Sequence, residues 1–181
     1  MKIKLTPELS YVIGFWRKRK AFEGLGIRGE PEFIELFSKL ILEMKLTEAG
    51  KLLTDDKKVY FYHTAYRKLF QDVENDQLER FKYLNEYAAS YLAGMFDSSG
   101  GIDEKGFVYI GRATPSDEIM LMRLGFGAKR REGALIVERP KVFLAFVKNY
   151  VKRFAGHAVF GMLGKTKRRK NKIAETEVAA V

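Results

Sequence analysis

Four consecutive cations, Arg17-Lys18-Arg19-Lys20, close an apolar segment, and 80 residues later the equivalent stretch closes with Asp97-Ser98-Ser99-Gly100. The chemistries are opposed. Guanidinium and ammonium groups bind phosphate oxygens through charge-assisted hydrogen bonds, whereas a carboxylate such as Asp97 is an oxygen ligand for a hard divalent cation. Lys58, Tyr60 and Tyr62 alternate with Val59 and Phe61, so the first three share one face of a strand. Arg28, Arg112, Lys129, Arg130, Arg131 and Arg139 fall in or beside predicted strands. Successive side chains on a strand point to opposite faces, so Arg130 and its two neighbours must divide between them. Arginines on the outward face are candidates to read guanine edges, and the other cations to hold phosphates. The interleaved tyrosines fit ordinary strand propensity better than base stacking.

The elements that must position these groups follow from an internal repeat. Ser10, Tyr11 and Gly14 recur as Ser90, Tyr91 and Gly94 at the same offset of 80. Around them Val12, Ile13, Phe15 and Trp16 correspond to Leu92, Ala93, Met95 and Phe96. In the first copy, residues 21–28 read as a strand, 31–44 as a helix opening on proline and acids, 52–64 as a hairpin turning at Asp55-Asp56, and 65–73 as a helix. In the second, 101–112 read as a hairpin, 116–124 as a helix, 128–139 as a hairpin and 140–154 as a helix. Each copy is therefore expected to run helix, two strands, helix, two strands, helix, an α+β fold of two pseudo-symmetric αββαββα repeats. The expected division is residues 1–76, 77–160 and a basic tail at 161–181. A mid-helix glycine costs about 1 kcal/mol relative to alanine. Two at equivalent places imply that the helices starting near Glu8 and Glu86 cross at Gly14 and Gly94, and that one chain supplies both halves of a monomer.

Composition narrows the function. The formal charge of +10 is uneven: residues 1–90 carry 16 basic and 14 acidic side chains, and residues 91–181 carry 17 and 9. This excess points to a polyanionic partner. There is no cysteine, and His63 and His157 are too few for a histidine-rich metal site. The charged start, Met1 to Pro7, has no apolar run behind it and no segment is long enough to cross a bilayer, so a cytoplasmic location without membrane contact is expected. Scarce Gln and Asn beside abundant Lys, Arg and Glu point towards a thermophile. Lys165, Lys167, Arg168, Arg169, Lys170 and Lys172 form a run too charged to pack. It is expected to stay mobile until a polyanion orders it, or to act only as a solubilising tail. Gly161 to Thr166 has two residues between its glycines where a Walker A loop has four, which argues against nucleotide hydrolysis.

The segment Tyr91-Leu92-Ala93-Gly94-Met95-Phe96-Asp97-Ser98-Ser99-Gly100-Gly101-Ile102 resembles the second motif of a single-chain LAGLIDADG homing endonuclease. With the element order and the repeat, the resemblance spans nearly all of residues 5–154. The first copy, Tyr11 to Lys20, keeps the helix-packing half of the motif and departs from the rest. The resemblance implies two motif helices packed together, each placing one acidic residue before a closing glycine at the floor of a saddle of strands. There the acids hold divalent metal that activates water for phosphodiester cleavage. The corresponding positions here are Arg19 and Ser99, and neither is a carboxylate. The closing glycine is Lys20 in the first copy and Gly100 in the second; the earlier, usually acidic, position is Arg17 and Asp97.

A permanent cation at a metal position repels magnesium, and a hydroxyl cannot replace the charge lost from both halves. The expectation is a non-cleaving, double-stranded DNA-binding protein, regulatory in role, that needs no metal and uses Arg17, Lys18, Arg19 and Lys20 to face the phosphates. The alternatives are a slow or nicking magnesium nuclease relying on Asp97, or on Glu23 and Asp103, which also correspond at the offset of 80, and a binder of structured RNA that assists intron splicing. A scaffold binding only protein would leave the arginines unexplained.

Overall fold

The computed structural model describes residues 2–161. Helix α1 (Pro7–Arg17) is started by Thr6, whose side chain accepts from the Leu9 amide, with proline in the first turn. Helix α5 (Glu86–Ser99) is capped in the same way by Asn85, which accepts from the Ala88 amide. Residues 9–16 of α1 and 88–98 of α5 are buried on every side. The two helices form the centre of the molecule and make the most extensive contact between any two elements.

Glycine permits that contact. A Cβ added to Gly14 would collide with the Tyr91 carbonyl oxygen, and one added to Gly94 would collide with the Tyr11 carbonyl oxygen and lie 2.8 Å from the Phe15 amide nitrogen. Tyr11 and Tyr91 are themselves equivalent at the offset of 80. The crossing is thus pseudo-two-fold and backbone to backbone, as the repeat predicts.

A small antiparallel sheet stands on each side of this pair. In the first half β1 (Leu25–Arg28), β2 (Leu53–Thr54) and β3 (Lys58–Phe61) are ordered β1-β3-β2. In the second, β4 (Gly100–Ile102), β5 (Val108–Ile110), β6 (Ala128–Arg131) and β7 (Ala134–Val137) are ordered β4-β5-β7-β6. Helix α2 (Pro31–Glu43) closes the first sheet with Phe33, Ile34, Phe37, Leu40 and Ile41 against Leu25, Ile27, Val59 and Phe61. Helix α6 (Pro115–Arg123) and helix α7 (Pro140–Val147) do the same beneath the second. Helix α3 (Thr64–Asn75) completes the first half, and the short α4 (Gln77–Arg80) lies in the connection between halves. Among the described residues no helix is long and apolar enough to cross a membrane.

The repeats differ in two respects from the expected element order. Where the second copy has strand β4, the first has a single bridge between Lys20 and Ile27. Six residues separate those two, against nine between the paired Gly100 and Ile110, and the longer connection closes with Asp103 accepting from the Lys105 and Phe107 amides. The shorter loop has no length for a second ladder. Helix α7 ends at Val147 rather than at residue 154, and Asp97 binds the chain beyond it. In the β6–β7 hairpin Glu132 and Gly133 both have positive φ, 51° and 80°, the pattern of a tight primed turn.

The glycine contact makes a direct prediction. Gly94→Ala is expected to destabilise the fold by about 1–3 kcal/mol through overpacking, lowering the melting temperature by roughly 2–4 °C per kcal/mol. Urea and thermal melts of Gly94→Ala and Gly14→Ala check this. Melts matching the parent would rule out a backbone crossing at these glycines.

Candidate nucleic-acid interface

Because α1 and α5 touch at their middles, their C-terminal ends meet at the floor between the sheets. The helix-end carbonyls carry partial negative charge, and guanidinium groups meet them. Arg19, just beyond α1, donates from Nε to the Ser98 carbonyl at the end of α5, 2.6 Å. Arg112, beyond β5, donates to the Lys18 carbonyl at the end of α1, 2.7 Å. Each arginine thus crosses to the other half. Ser99 turns back to the Met95 and Gly111 carbonyls, at 3.2 and 3.1 Å. A depression of about 430 Å³ opens here, lined by Arg17, Lys18, Arg19, Lys20, Arg28, Glu74, Arg112 and Thr114.

The expectation that all four cations at the end of α1 face outward needs correction. The Arg17 and Lys18 side chains are 7% and 3% exposed. Both pair with Asp117 on α6: Arg17 with one carboxylate oxygen and Lys18 with the other at 2.5 Å. Arg17 also donates to Thr114 Oγ1 and lies 3.4 Å from Glu74, while Lys18 donates to the Arg112 carbonyl. Gln77 on α4 donates to Asp117 at 3.2 Å and accepts from the Tyr91 hydroxyl at 2.6 Å. Burial pushes the Asp117 carboxyl up, but Lys18 and Arg17 outweigh it and hold it at about 2. Burial lowers the Lys18 ammonium despite Asp117. Lys20 pairs with Glu74 and sits over the Trp16 ring, half exposed. Only Arg19 and Lys20 of the run keep part of their surface for a ligand. Sequence reasoning missed Asp117, Glu74 and Gln77; the single signal was Thr114-Pro115-Ser116-Asp117, a capping box at the start of α6.

The residual acid is committed as well. Asp97 is fully buried and accepts from the Tyr11 hydroxyl at 2.5 Å and from the amides of Lys152, Arg153 and Phe154 at 2.7 to 3.3 Å. Burial pushes its carboxyl up, against those hydrogen bonds. Glu23 pairs with Lys58 at 2.6 Å, and Asp103 closes the β4–β5 turn. Among the described residues no group of three or more His, Cys, Asp or Glu side chains is placed to hold a metal ion. The floor's own donors, guanidinium and hydroxyl, do not fit a hard divalent cation, which needs anionic oxygen.

The outward faces of the sheets follow from register and burial. In the first, Arg28 pairs with Lys58 and Gly26 with Tyr60, opposite the buried Leu25, Ile27, Val59 and Phe61. Tyr62 continues this side at 68% exposure and meets Tyr60 edge to face at 5.9 Å. Strand propensity explains Tyr60; it does not explain Tyr62, whose ring is in solvent. In the second sheet Lys129 pairs with Ile136 and Arg131 with Ala134, on the side of Tyr109. Arg130 pairs with the buried Leu135, so it points to the helix side and donates to Glu118 of α6 at 2.6 Å. Arg139 leaves the sheet at the start of α7, beside Met122 and Gly125. Tyr109, not singled out by sequence, shares the face of Lys129. Lys167, Arg168 and Arg169 lie outside the described residues.

Two helix-sheet halves joined by crossed motif helices, with open strand faces on either side of the helix ends, define the LAGLIDADG homing-endonuclease fold. The homing endonuclease I-DmoI has it: the structure of its mesophilic variants superposes with a TM-score of 0.55 at 16% identity, covering 83% of this chain and 97% of that one. A variant of I-DmoI in complex with its target DNA in the presence of 2 mM Mg gives 0.49 at 16% identity over 78% and 94%. I-DmoI with DNA and Ca gives 0.48 at 17% over 80% and 88%. No family model and no curated protein matches the sequence.

The Asp117 network predicts an acid-sensitive step. Its folded-state pKa is depressed, so the stability it confers is complete above the ordinary carboxylate range and is lost as pH falls through about 2, a contribution of roughly 2 kcal/mol. Asp117→Asn leaves two buried cations short of their partner and is expected to cost about 3–5 kcal/mol at neutral pH. Urea unfolding of parent and variant between pH 5 and pH 2 measures both. A variant as stable as the parent would show that the pairing of Arg17 and Lys18 with Asp117 is not holding α1 to α6.

Proposed function

We propose that this chain is a monomeric, non-cleaving double-stranded DNA-binding protein, a degenerate LAGLIDADG homing endonuclease whose two repeats, 1–76 and 77–160, straddle one duplex. The observation that carries the reading is the cationic floor. At the meeting point of α1 and α5, Arg19 stands at one family acid position and Ser99 at the other, with Arg112 and Lys20 beside them. A guanidinium stabilises a phosphate oxygen but cannot generate hydroxide. Arg28, Lys58 and Tyr60 on one outward face and Lys129 and Arg131 on the other supply backbone contacts and edge readers along the groove. I-DmoI binds target DNA in its complexes, and the fold shared with it extends that partner to this chain as a proposal. The acids that could sustain residual cutting, Asp97, Glu23 and Asp103, each already have partners.

The expected result is salt-dependent duplex binding, with affinity falling by nearly one decade per phosphate contacted per decade of salt over about 6–10 contacts. Reversal of Lys129 or Arg131 to glutamate is expected to weaken binding about tenfold or more, while reversal of Arg130 acts on the contact with α6 rather than on the duplex. Filter binding and fluorescence anisotropy with a duplex selected from a random pool measure these. The same duplex is incubated with the protein in magnesium and in manganese, where no specific cutting is expected. Cutting abolished by Asp97→Asn, Glu23→Gln or Asp103→Asn would identify an active nuclease. Preference for folded RNA at matched salt would replace DNA as the partner.

A further inference from the structure

We infer that Arg19, Arg28 and Arg112 form a site for one phosphate group astride the pseudo-two-fold axis, assembled from both halves and present before any nucleic acid binds. The site deepens the DNA-binding reading by naming what the floor holds, but its existence does not depend on that reading. The three residues line two adjoining depressions, of about 430 and 560 Å³. Arg19 and Arg28 come from the first half and Arg112 from the second.

Two of the guanidiniums are fixed in advance. Arg19 is held by the Ser98 carbonyl and stacked 3.4 Å over the Phe33 ring, and Arg112 is held by the Lys18 carbonyl. Arg112 adopts φ of 50°, a left-handed backbone that residues with a Cβ rarely adopt. Arg28 lies over the exposed Phe22 ring at 4.2 Å. Each holding contact leaves several of the five guanidinium N–H donors unused.

The charge around the site is only partly matched. Among the described residues neither Arg28 nor Arg112 pairs with a carboxylate, and Arg19 has only Glu30 at 3.4 Å, itself 72% exposed. Burial and the neighbouring Arg112 and Arg153 push the Arg19 guanidinium down. The nearby cations that are neutralised, Arg17, Lys18 and Lys20, are neutralised by Asp117 and Glu74 beneath and beside the floor. Glu74, Glu30 and Asp56 also line the two depressions, but none of them pairs with Arg28 or Arg112, so the three arginines keep positive charge suited to an anion, and planar forked donors match tetrahedral phosphate oxygens. The same chemistry accepts a phosphodiester of a duplex or free inorganic phosphate.

The test uses the full chain and two ligands. In the first arm inorganic phosphate is titrated at constant ionic strength, against chloride, by calorimetry and ¹⁵N-edited NMR. One saturable site is expected, weakened at least tenfold in Arg28→Glu and in Arg112→Glu and unchanged in Lys141→Glu, which removes the same charge on α7. Arg28 makes no hydrogen bond with its side chain among the described residues, so its variant is expected to fold even if Arg112→Glu does not. Absence of saturation, or equal loss in Lys141→Glu, would overturn the site in favour of diffuse electrostatics. In the second arm a duplex replaces phosphate. Phosphate saturation without duplex binding leaves the site standing and removes the DNA reading. Duplex binding that is insensitive to Arg28→Glu and to added phosphate, with no phosphate saturation, removes the site alone.

Discussion

The backbone contact between α1 and α5 is the constraint from which the rest of the molecule follows. Gly14 and Gly94 let the Tyr91 and Tyr11 carbonyls come against the opposing helix, and at that separation no side chain fits between the two axes. Whatever follows each helix is therefore delivered to the same small region. Two helix C-termini meeting there bring the negative ends of both macrodipoles together, so the local field favours a cation. A metal held by two acids satisfies it in one way. Here the cations are guanidiniums, one donating to each helix end from the other half.

The opposite charges at the equivalent positions 17 and 97 show how the scaffold tolerates such a change. Asp97 is satisfied by a tyrosine of α1 and three amides of the chain beyond α7. Arg17 is satisfied by Asp117, Thr114 and Glu74 from α6 and α3. Both positions are buried, and an unpaired charge there would be strongly destabilising. The fold keeps its symmetry at the backbone while each position finds its own partners, in part across the two halves. In this arrangement Asp97 and Arg17 hold elements together, Asp97 the C-terminal segment and Arg17 the start of α6.

The sequence carried the fold at the level where periodicity is decisive. The repeat at an offset of 80 and the paired glycines gave the helix crossing, and alternation gave the outward placement of Lys58 and Tyr60. The site was legible only in part, because a run of basic residues shows neither which side chains turn inward nor which acids meet them. Arg17 and Lys18 are turned inward by Asp117, a hundred residues away in sequence, and nothing local marks that pairing. Arg130 illustrates the same limit: its alternation with Lys129 and Arg131 was clear, but the choice of face required the register against β7 and Leu135. The missing β4 equivalent in the first copy depended on loop length, which the aligned motifs conceal.

Binding geometry and cleavage chemistry are separable on this scaffold because they rest on different atoms. Shape comes from the helix crossing and the two sheet faces, none of which needs an acid at positions 19 or 99. Chemistry requires a group that lowers the pKa of water, and a guanidinium, protonated at every accessible pH, can neither accept a proton nor coordinate oxygen. Position 19 places positive charge at the floor, so on the proposed reading the attraction for a phosphate needs no acid there. The remaining cationic surface is distributed rather than concentrated. Residues 91–161 hold 11 basic and 7 acidic side chains and residues 162–181 hold 6 and 2, so half of the excess in residues 91–181 lies in the terminal segment. The described surface therefore relies on the placement of a few cations at the floor and on the strand faces more than on net charge.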